Sequence, residues 1–194
     1  IVYTAGTTSS PQDTANTTTT SINLATGGTD TVLTLDVPRN VTVAVTHTQS
    51  IASGTVLVTG YDEYKQSMSE LYTIAATGQS ATYAGKKAFK YIKSVTFTAG
   101  ADMRLNFFNV GHGNIFGLPY ALQAKADLFQ VYRNDVEDTS ATIVAAVATT
   151  ATTSTGDVRG TVATGVAADT TSVVVWGAFV SPNSTDGLRG VAQA

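Results

Sequence analysis

The stretch Val41-Thr42-Val43-Ala44-Val45-Thr46 decides the fold class, because its valines occupy every second position. An apolar residue at every second position is the period of a strand with one buried face. Residues 31–35 (Thr-Val-Leu-Thr-Leu) show the same alternation, and Pro38-Arg39-Asn40 between the two runs predicts a turn. These residues therefore predict two neighbouring strands.

The next two apolar runs predict a β-hairpin. Residues 54–60 (Gly-Thr-Val-Leu-Val-Thr-Gly) and residues 68–74 (Met-Ser-Glu-Leu-Tyr-Thr-Ile) alternate in the same way, and the polar residues 61–66 separate them. A connection of this length predicts a moderately long or bulged loop between two antiparallel strands.

The longest alternating run covers residues 86–98. Four apolar or aromatic residues share one parity, whereas Ile92 is out of phase with them. The four residues are Phe89, Tyr91, Val95 and Phe97. A β-bulge near Lys93 or Ser94 would restore the phase, and we expect a strand of this length to bend across two sheets.

Glycines interrupt the apolar sequence that follows. Residues 103–110 predict a further strand, and Gly111-His112-Gly113-Asn114 predicts a turn after it. Residues 115–120 (Ile-Phe-Gly-Leu-Pro-Tyr) form a short apolar segment. We place this segment at a sheet edge, because Pro119 has no N–H group to donate to a neighbouring strand.

The second half of the chain predicts shorter strands. Residues 127–132 form one strand, and a turn follows at residues 133–135. The Ala/Thr-rich residues 145–155 predict a loop or weak strand, because the interleaved threonines oppose a stable helix. The last predicted strands cover residues 157–162, 171–180 and 188–192.

Composition agrees with an all-β fold. Of the 194 residues, 34 are threonine, which is β-branched and favours pleated surfaces. About ten to twelve short strands, with turns about every 8 to 12 residues, are typical of a sandwich or a barrel. Of the two, we expect an antiparallel β-sandwich of jelly-roll-like type. We expect the Thr/Ser-rich residues 1–21 to form an extended N-terminal arm and residues 22–194 to form the sandwich domain, with a candidate sub-boundary near residues 122–126.

Charge and composition argue against several classes of partner. The net charge is −3, and the basic residues are scattered except for Lys86, Lys87, Lys90 and Lys93, so we expect no nucleic acid partner. We interpret the four lysines as either a site for an anionic surface or a charged strand start that discourages aggregation. No run approaches the length of a membrane span, and the chain has no cysteine for disulfides or thiolate chemistry.

No combination of residues predicts catalysis, a metal site or a cofactor site. His47 in a strand and His112 in the glycine turn lack the spacing of paired metal ligands. Gly111, Gly113 and Gly117 give a G-x-G-x-x-x-G pattern, but no predicted helix follows it to bind a pyrophosphate. The acidic residues at positions 62–63 and 135–138 are interpreted as solvated turn residues. We therefore expect a protein that is not an enzyme and that has neither cofactor nor metal ion.

Four phrases of the sequence resemble those of a group of tailed-bacteriophage virion proteins that are encoded with the head genes. They are Gly54-Thr-Val-Leu-Val-Thr-Gly-Tyr-Asp-Glu-Tyr, Gly85-Lys-Lys-Ala-Phe-Lys-Tyr-Ile, Val110-Gly-His-Gly-Asn-Ile-Phe-Gly-Leu-Pro-Tyr and Gly156-Asp-Val-Arg-Gly-Thr. The similarity covers residues 54–194. The resemblance implies a decoration or cement protein that binds the major capsid protein on the capsid exterior, assembled in the host bacterial cytoplasm.

Contacts with the capsid or with a second subunit are expected on the arm and on the apolar edge. As a homo-oligomer, either a dimer or a trimer, the protein would make several weak contacts that add through effective concentration. The candidate contact residues are Tyr3, Ile115, Phe116, Leu118, Pro119 and Tyr120.

Other functions stay open at this point. Within the same particle, the chain is an alternative candidate for a tail, fibre or head-fibre component. A carbohydrate-binding β-sandwich is a candidate of a different class, because stacking on sugar rings uses exposed aromatic side chains. Its candidate residues are Trp176, Tyr61, Tyr64 and Tyr132, and an enzyme ranks third.

Overall fold

In a computed structural model of the protein, the described residues are 19–23, 33–47, 53–75, 80–99, 106–122, 128–147, 152–164 and 174–178. These residues contain eleven strands and no helix. The strands are β1 (Thr19–Asn23), β2 (Leu33–His47), β3 (Gly54–Tyr61), β4 (Ser67–Ile74), β5 (Ala81–Ala99), β6 (Asn106–Gly117), β7 (Leu128–Arg133), β8 (Val136–Glu137), β9 (Thr142–Val144), β10 (Thr161–Ala163) and β11 (Val174–Ala178).

The described strands form two sheets. The larger sheet has eight strands in the order β4-β3-β5-β2-β6-β10-β9, with β1 paired to β5 beside this path. The smaller sheet has the order β11-β7-β8. Every pairing is antiparallel. The described part of the chain is therefore all-β, as the alternating sequence predicts.

Strand β5, with 19 residues, joins two halves of the larger sheet. Its first half pairs with β2, whereas its residues 94–98 lie between β3 and β1. Lys93 is the extra residue at the transition, because Thr59 pairs with Ser94 while Gly60 pairs with Ile92. This register shift confirms the bulge that the out-of-phase Ile92 predicts.

The main core lies between strands β2 to β6 and is built from branched aliphatic and aromatic side chains. It contains Leu35, Val41, Val43, Val45, Val56, Val58, Met68, Tyr72, Ile74, Phe89, Ile92, Val95, Phe97 and Val110. A smaller cluster contains Leu118, Leu122, Val131, Ile143 and Val162. Val41, Val43 and Val45 all lie in this main core, so their alternation in the sequence correctly predicts a strand with one buried face.

Two predicted turns are confirmed. Strands β3 and β4 form the expected hairpin, with Gly54 opposite Ile74 and Tyr61 opposite Ser67. Strands β7 and β8 form a tight hairpin in which Arg133 pairs with Val136. The two residues between them, Asn134 and Asp135, have φ angles of 50° and 62°. Positive φ at both central residues is the requirement of the tightest hairpin turns, and Asn and Asp tolerate it.

The turn predicted at Pro38-Arg39-Asn40 is wrong. Strand β2 continues through these residues, and the register with β5 shifts on both sides of Arg39 and Asn40. Irregular pairing leaves room for a proline, which cannot donate a ladder hydrogen bond. Arg39 and Asn40 are buried, so this polar triplet is an irregularity inside the sheet rather than its end.

The turn predicted at residues 111–114 is also wrong, and so is the sheet edge predicted for the residues after it. Strand β6 runs without a break through the glycines and lies between β2 and β10. Phe116 pairs with Arg39 on one side and Val162 on the other. The glycines give close approach here, because a Cβ on Gly113 would lie 2.6 Å from the Asn40 Oδ1 atom.

Near the C-terminus the prediction is correct in part. A strand is predicted at 157–162, but β10 begins only at Thr161 and ends at Ala163. Gly160, directly before it, has a φ of +83°, which is not a strand conformation. Val174–Ala178 forms β11 within the predicted 171–180 run. The strand predicted at 188–192 and residues 1–18 of the predicted arm lie outside the described residues, whereas Thr19 to Ser21 belong to β1.

Candidate functional site

A buried ion pair joins two segments that are far apart in the sequence. Arg159 Nη1 lies 2.8 Å from Asp62 Oδ2, and the two side chains are only 3% and 0% exposed. Arg159 Nε donates a hydrogen bond to the Leu118 carbonyl oxygen at 3.0 Å. The guanidinium lies 5.2 Å from the centre of the Tyr64 ring. The planar guanidinium thus contacts both the β3–β4 loop and the segment after β6.

The second oxygen of Asp62 holds the β3–β4 loop. Asp62 Oδ1 accepts hydrogen bonds from the backbone N–H groups of Tyr64 at 2.8 Å and Gln66 at 2.9 Å. Lys65 between them has a φ of 62°, an unusual conformation for a non-glycine residue. The Tyr64 hydroxyl donates to the Pro119 carbonyl oxygen at 3.0 Å. The loop is therefore fixed from both ends.

Asp157 ties the segment before β10 to strand β5. Asp157 Oδ1 accepts the N–H of Arg159 at 2.9 Å, and Oδ2 accepts the N–H of Ala88 at 3.2 Å. The side chain of Asp157 is 1% exposed. A second contact is made by the backbone, since Leu71 N donates to Thr153 O at 2.9 Å. Residues 152–160 thus lie across β4 and β5.

Glu70 binds the backbone of β5 beside Asp157. Glu70 Oε1 accepts the N–H of Lys86 at 2.6 Å, and Oε2 accepts the N–H of Lys87 at 3.4 Å. The register with β2 is irregular here, because Asn40 and Thr42 face Ala88 and Ala84, with three β5 residues between them. The two carboxyl groups thus supply acceptors for three consecutive N–H groups in this irregular part of β5.

Tyr72 completes this cluster through its hydroxyl group. The Tyr72 hydroxyl lies 2.9 Å from Val41 O and 3.0 Å from Glu70 Oε2. The hydroxyl thus lies between a backbone oxygen of β2 and the carboxyl group of Glu70 on β4. Burial raises the pKa of Glu70 above its usual 4.5, and burial beside Glu70 raises that of Tyr72 well above 10.0.

Lys87 is the unexpected member of the cluster. Its side chain is fully buried, at 0% exposure. Burial lowers the pKa of the Lys87 ammonium, while the charges of Glu70 and Asp157 oppose this shift. Asp62, Arg159, Asp157, Glu70, Tyr72 and Lys87 are referred to below as the buried network.

Gly85 makes room for the network. A Cβ at this position would overlap the Tyr72 hydroxyl and would lie 2.5 Å from Glu70 Oε2 and 2.8 Å from Val41 O. On the other side of β2, Asn40 Nδ2 donates to Gly85 O and Asn40 Oδ1 accepts from Ile115 N, each at 3.1 Å. Asn40 thus links β5 to β6 across the irregular part of β2.

The buried network holds the fold together and offers no open surface for a substrate. Its charged side chains are at most 4% exposed, and the carboxyl groups of Asp62, Asp157 and Glu70 bind backbone groups or Arg159. Among the described residues, no group of three His, Cys, Asp or Glu side chains could hold a metal ion. A shallow depression lined by Arg133, Val136, Glu137, Asp138, Thr139 and Ser140 lies elsewhere. No helix in the described ranges is long and apolar enough to cross a membrane.

The predicted contact residues separate into buried and accessible ones. Phe116 and Leu118 are buried, and the Arg39 guanidinium lies 4.8 Å from the Phe116 ring centre, so these two residues pack the interior. Ile115 and Pro119 are half-buried, and Tyr120 is 39% exposed. Tyr3 lies outside the described residues. A contact role stays a prediction for the accessible positions.

Several interpretations of single residues are wrong. Asp62 is a buried ion-pair partner rather than a solvated turn residue, whereas Glu63 is exposed as expected. Lys87 lies in the interior rather than on a charged strand edge. His112 lies in strand β6 and not in a turn. In each case the tertiary partner, and not the local sequence, decides the environment.

The candidate sugar-stacking residues are distributed over the β3–β4 region and the smaller sheet. Tyr64 is half-buried and engaged by Arg159 and Pro119, while Tyr61 belongs to β3 and Tyr132 to β7 of the other sheet. The side chain of Trp176 lies outside what the structure describes.

Four stretches of the sequence, residues 54–64, 85–92, 110–120 and 156–161, meet at the buried network. The first contains Asp62 and Tyr64, and the second contains Gly85 and Lys87. The third supplies the Leu118 and Pro119 carbonyl groups, and the fourth supplies Asp157 and Arg159. The sequence alone does not reveal these residues as one site, because partners such as Asp62 and Arg159 are far apart along the chain. The recurrence of acidic and basic residues within those stretches was the available signal.

No protein-family model matches this chain, and no curated protein or solved structure is significantly similar to it. Evidence about function therefore comes from the residues and from their geometry.

Proposed function

We propose that the chain is a non-enzymatic virion structural protein that binds the outside of a tailed-phage capsid and stabilises the capsid lattice. The observation that carries this proposal is the convergence of the four phrases on one buried network. These residues support a role as a rigid building block, since each of them fixes one chain segment against another. A catalytic site would instead leave some of them accessible.

We also propose a β-sandwich of jelly-roll-like type for the whole domain, with the N-terminal arm reaching a neighbouring subunit. Support comes from β5, whose two halves pair with different strands while both contribute to one core. A strand that bends between two layers is a common corner of such folds. The partners in this proposal are the major capsid protein and further copies of the chain, as a dimer or trimer.

Weak contacts suffice for this function. Many copies on a fixed lattice convert each additional contact into an intramolecular one, so the affinities multiply. Among the described candidate contacts, Tyr120 is the most accessible, and its neighbour Pro119 is held by the Tyr64 hydroxyl. A partly exposed aromatic beside a fixed proline is a favourable anchor, because little side-chain freedom is lost on binding.

The test is co-sedimentation with capsids that lack this protein. Wild-type chain should pellet with the capsids, and Tyr120→Asp should pellet less. Val136→Asp is the matched control, because Val136 is also a large exposed apolar residue, at 69%. Wild-type chain that stays in the supernatant, or that localises to the tail in a map of the particle, would contradict the proposal. Binding to a glycan array without capsid binding would favour the carbohydrate-binding alternative.

A further inference from the structure

The outer face of strands β4, β3 and β5 carries an ordered array of hydroxyl groups. The register places the side chains in rungs across the three strands. The rungs are Thr73-Thr55-Thr98, Leu71-Leu57-Thr96, Ser69-Thr59-Ser94 and Ser67-Tyr61-Tyr91. Ten of these twelve residues bear a hydroxyl, and the other two are leucines. We call these twelve positions the hydroxyl face.

The hydroxyl face is accessible, whereas the opposite face of the same strands is core. All twelve side chains are exposed or half-buried, and Leu71 is 39% exposed. The alternate residues, such as Val56, Val58 and Phe97, are buried. Thr59 Oγ1 and Ser94 Oγ are hydrogen-bonded at 2.6 Å, which shows neighbouring hydroxyls in direct contact on the face.

The array continues at the level of register onto a fourth strand. Strand β1 pairs with β5 so that Thr19 is opposite Thr98, Ser21 is opposite Thr96 and Asn23 is opposite Ser94. These three positions are again small and uncharged. The uncharged rungs therefore extend over four neighbouring strands.

The hydroxyl face shares two features with the centres of protein interfaces, namely the absence of charge and the presence of tyrosines. None of its twelve residues is charged, although neighbouring positions such as Glu70 and Lys93 are. Depletion of charge distinguishes the centres of protein interfaces from ordinary surface, and Tyr is enriched there. The adjacent Leu57 and Leu71 form an apolar centre between rungs of hydroxyl groups. This arrangement resembles an apolar core within a polar surround.

We infer that the hydroxyl face binds the same face of a second copy of this chain. A hydroxyl both donates and accepts hydrogen bonds, so an array of hydroxyls is complementary to itself under two-fold symmetry. The chain has a net charge of −3, and like charges oppose self-association. An uncharged face is where that repulsion is smallest. The inference rests on the proposed homo-oligomer and names its surface, but it does not require capsid binding.

The dimensions of the face set the strength of the contact. Three strands at about 4.8 Å spacing and seven residues at about 3.4 Å rise give an outline of roughly 15 by 20 Å. This area of about 300 Å² per copy is well below the ~800 Å² of a standard interface. The dimer is therefore weak, and its dissociation is measured at high protein concentration.

The test is sedimentation equilibrium of the full chain up to about 1 mM, the concentration at which a contact of about −4 kcal/mol is half-formed. Wild-type chain should self-associate. Thr98→Lys and Leu71→Lys should raise the dissociation constant at least tenfold, because each dimer then places like charges on the face. Thr82→Lys is the matched control, since Thr82 is an exposed threonine of the same strand but pairs with Ala44 in the other half of the sheet.

Circular dichroism keeps this test interpretable, because the face variants should stay folded. Wild-type chain that remains monomeric at 1 mM overturns the inference, and so does an equal effect of Thr98→Lys and Thr82→Lys. A monomeric chain whose Thr98→Lys variant loses only capsid binding also overturns it, because the face then binds the shell. A dimer that Thr98→Lys and Leu71→Lys disrupt, and that Thr82→Lys leaves intact, supports the inference even if the chain does not bind capsids. In that case only the proposed capsid function fails.

Discussion

The buried network and the hydroxyl face are two polar regions that share strands β4 and β5. They differ in the kind of polar group and in its exposure to solvent. On β4, Glu70 points inward, while its neighbours Ser69 and Leu71 lie on the outer face. The network places charges inside, each with fixed partners, whereas the face presents uncharged hydroxyls to the outside. Desolvating a charge costs much more than desolvating a hydroxyl. The network therefore stabilises the folded chain, whereas the face is suited to association.

The largest expected effect comes from breaking the buried ion pair. Arg159→Met leaves the Asp62 carboxylate buried without its cation and removes the hydrogen bond to Leu118 O. Loss of one partner of a buried pair costs about 3–5 kcal/mol. Urea denaturation measures this cost. Arg133→Met on β7, where the arginine is half-buried, is the control and should cost far less. Equal costs would mean that the network has no special role.

A smaller loss is expected when a methyl group is added beside the network. Gly85→Ala drives a Cβ against the Tyr72 hydroxyl, Glu70 Oε2 and the Val41 backbone oxygen, so strand β5 must shift. Overpacking of this kind costs about 1–3 kcal/mol. Gly111→Ala is the matched control, because its Cβ would meet only Thr42 Oγ1 at 3.4 Å. The midpoints of thermal unfolding of both variants measure the loss of stability. A loss for Gly111→Ala as large as that for Gly85→Ala would contradict the prediction.

The pH dependence of stability reports the protonation of Glu70. Its folded-state pKa is raised above 4.5, so its contribution is fully present below pH 4.5 and is lost as pH rises through the folded pKa. Gln at this position has nearly the same shape and stays neutral at every pH. Relative to wild-type, Glu70→Gln should therefore gain stability as pH rises from about 4.5. Glu137→Gln, at an exposed position, should show no such trend in urea titrations at several pH values.

The smallest effect on stability is expected at the hydroxyl face. Thr98 is exposed, so Thr98→Lys should change the free energy of unfolding of the monomer by no more than about 0.5 kcal/mol. Urea denaturation at low concentration measures the monomer alone. A loss of several kcal/mol would show that Thr98 belongs to the interior and would remove the contrast between the two regions.

Local alternation in the sequence was sufficient to predict the strands that have one buried face. The β3–β4 hairpin, the Lys93 bulge and the Asn134-Asp135 turn follow from residue type and parity alone. Pro38 and the glycines of β6 misled the prediction, because both residue types also occur inside irregular sheets, where a neighbouring chain segment approaches closely.

The buried network could not be predicted in the same way. Asp62 and Arg159 are 97 residues apart, and Asp157 reaches Ala88 across 69 residues, so no local pattern links them. An acidic residue in a polar loop and a lysine in a charged run are exposed in most proteins. The hydroxyl face was hidden for a related reason, since its rungs exist only once the register of β3 with both neighbours is known.

The most direct test of the network is a double-mutant cycle on its ion pair. Asp62→Asn retains the oxygen that binds Tyr64 N and Gln66 N but removes the charge, and Arg159→Met removes the cation. The double variant should lose about 2 kcal/mol less than the sum of the two single variants, because no unpaired charge stays buried. Losses that add to within about 0.5 kcal/mol would show that Asp62 and Arg159 act independently, and would contradict a network that joins the four segments.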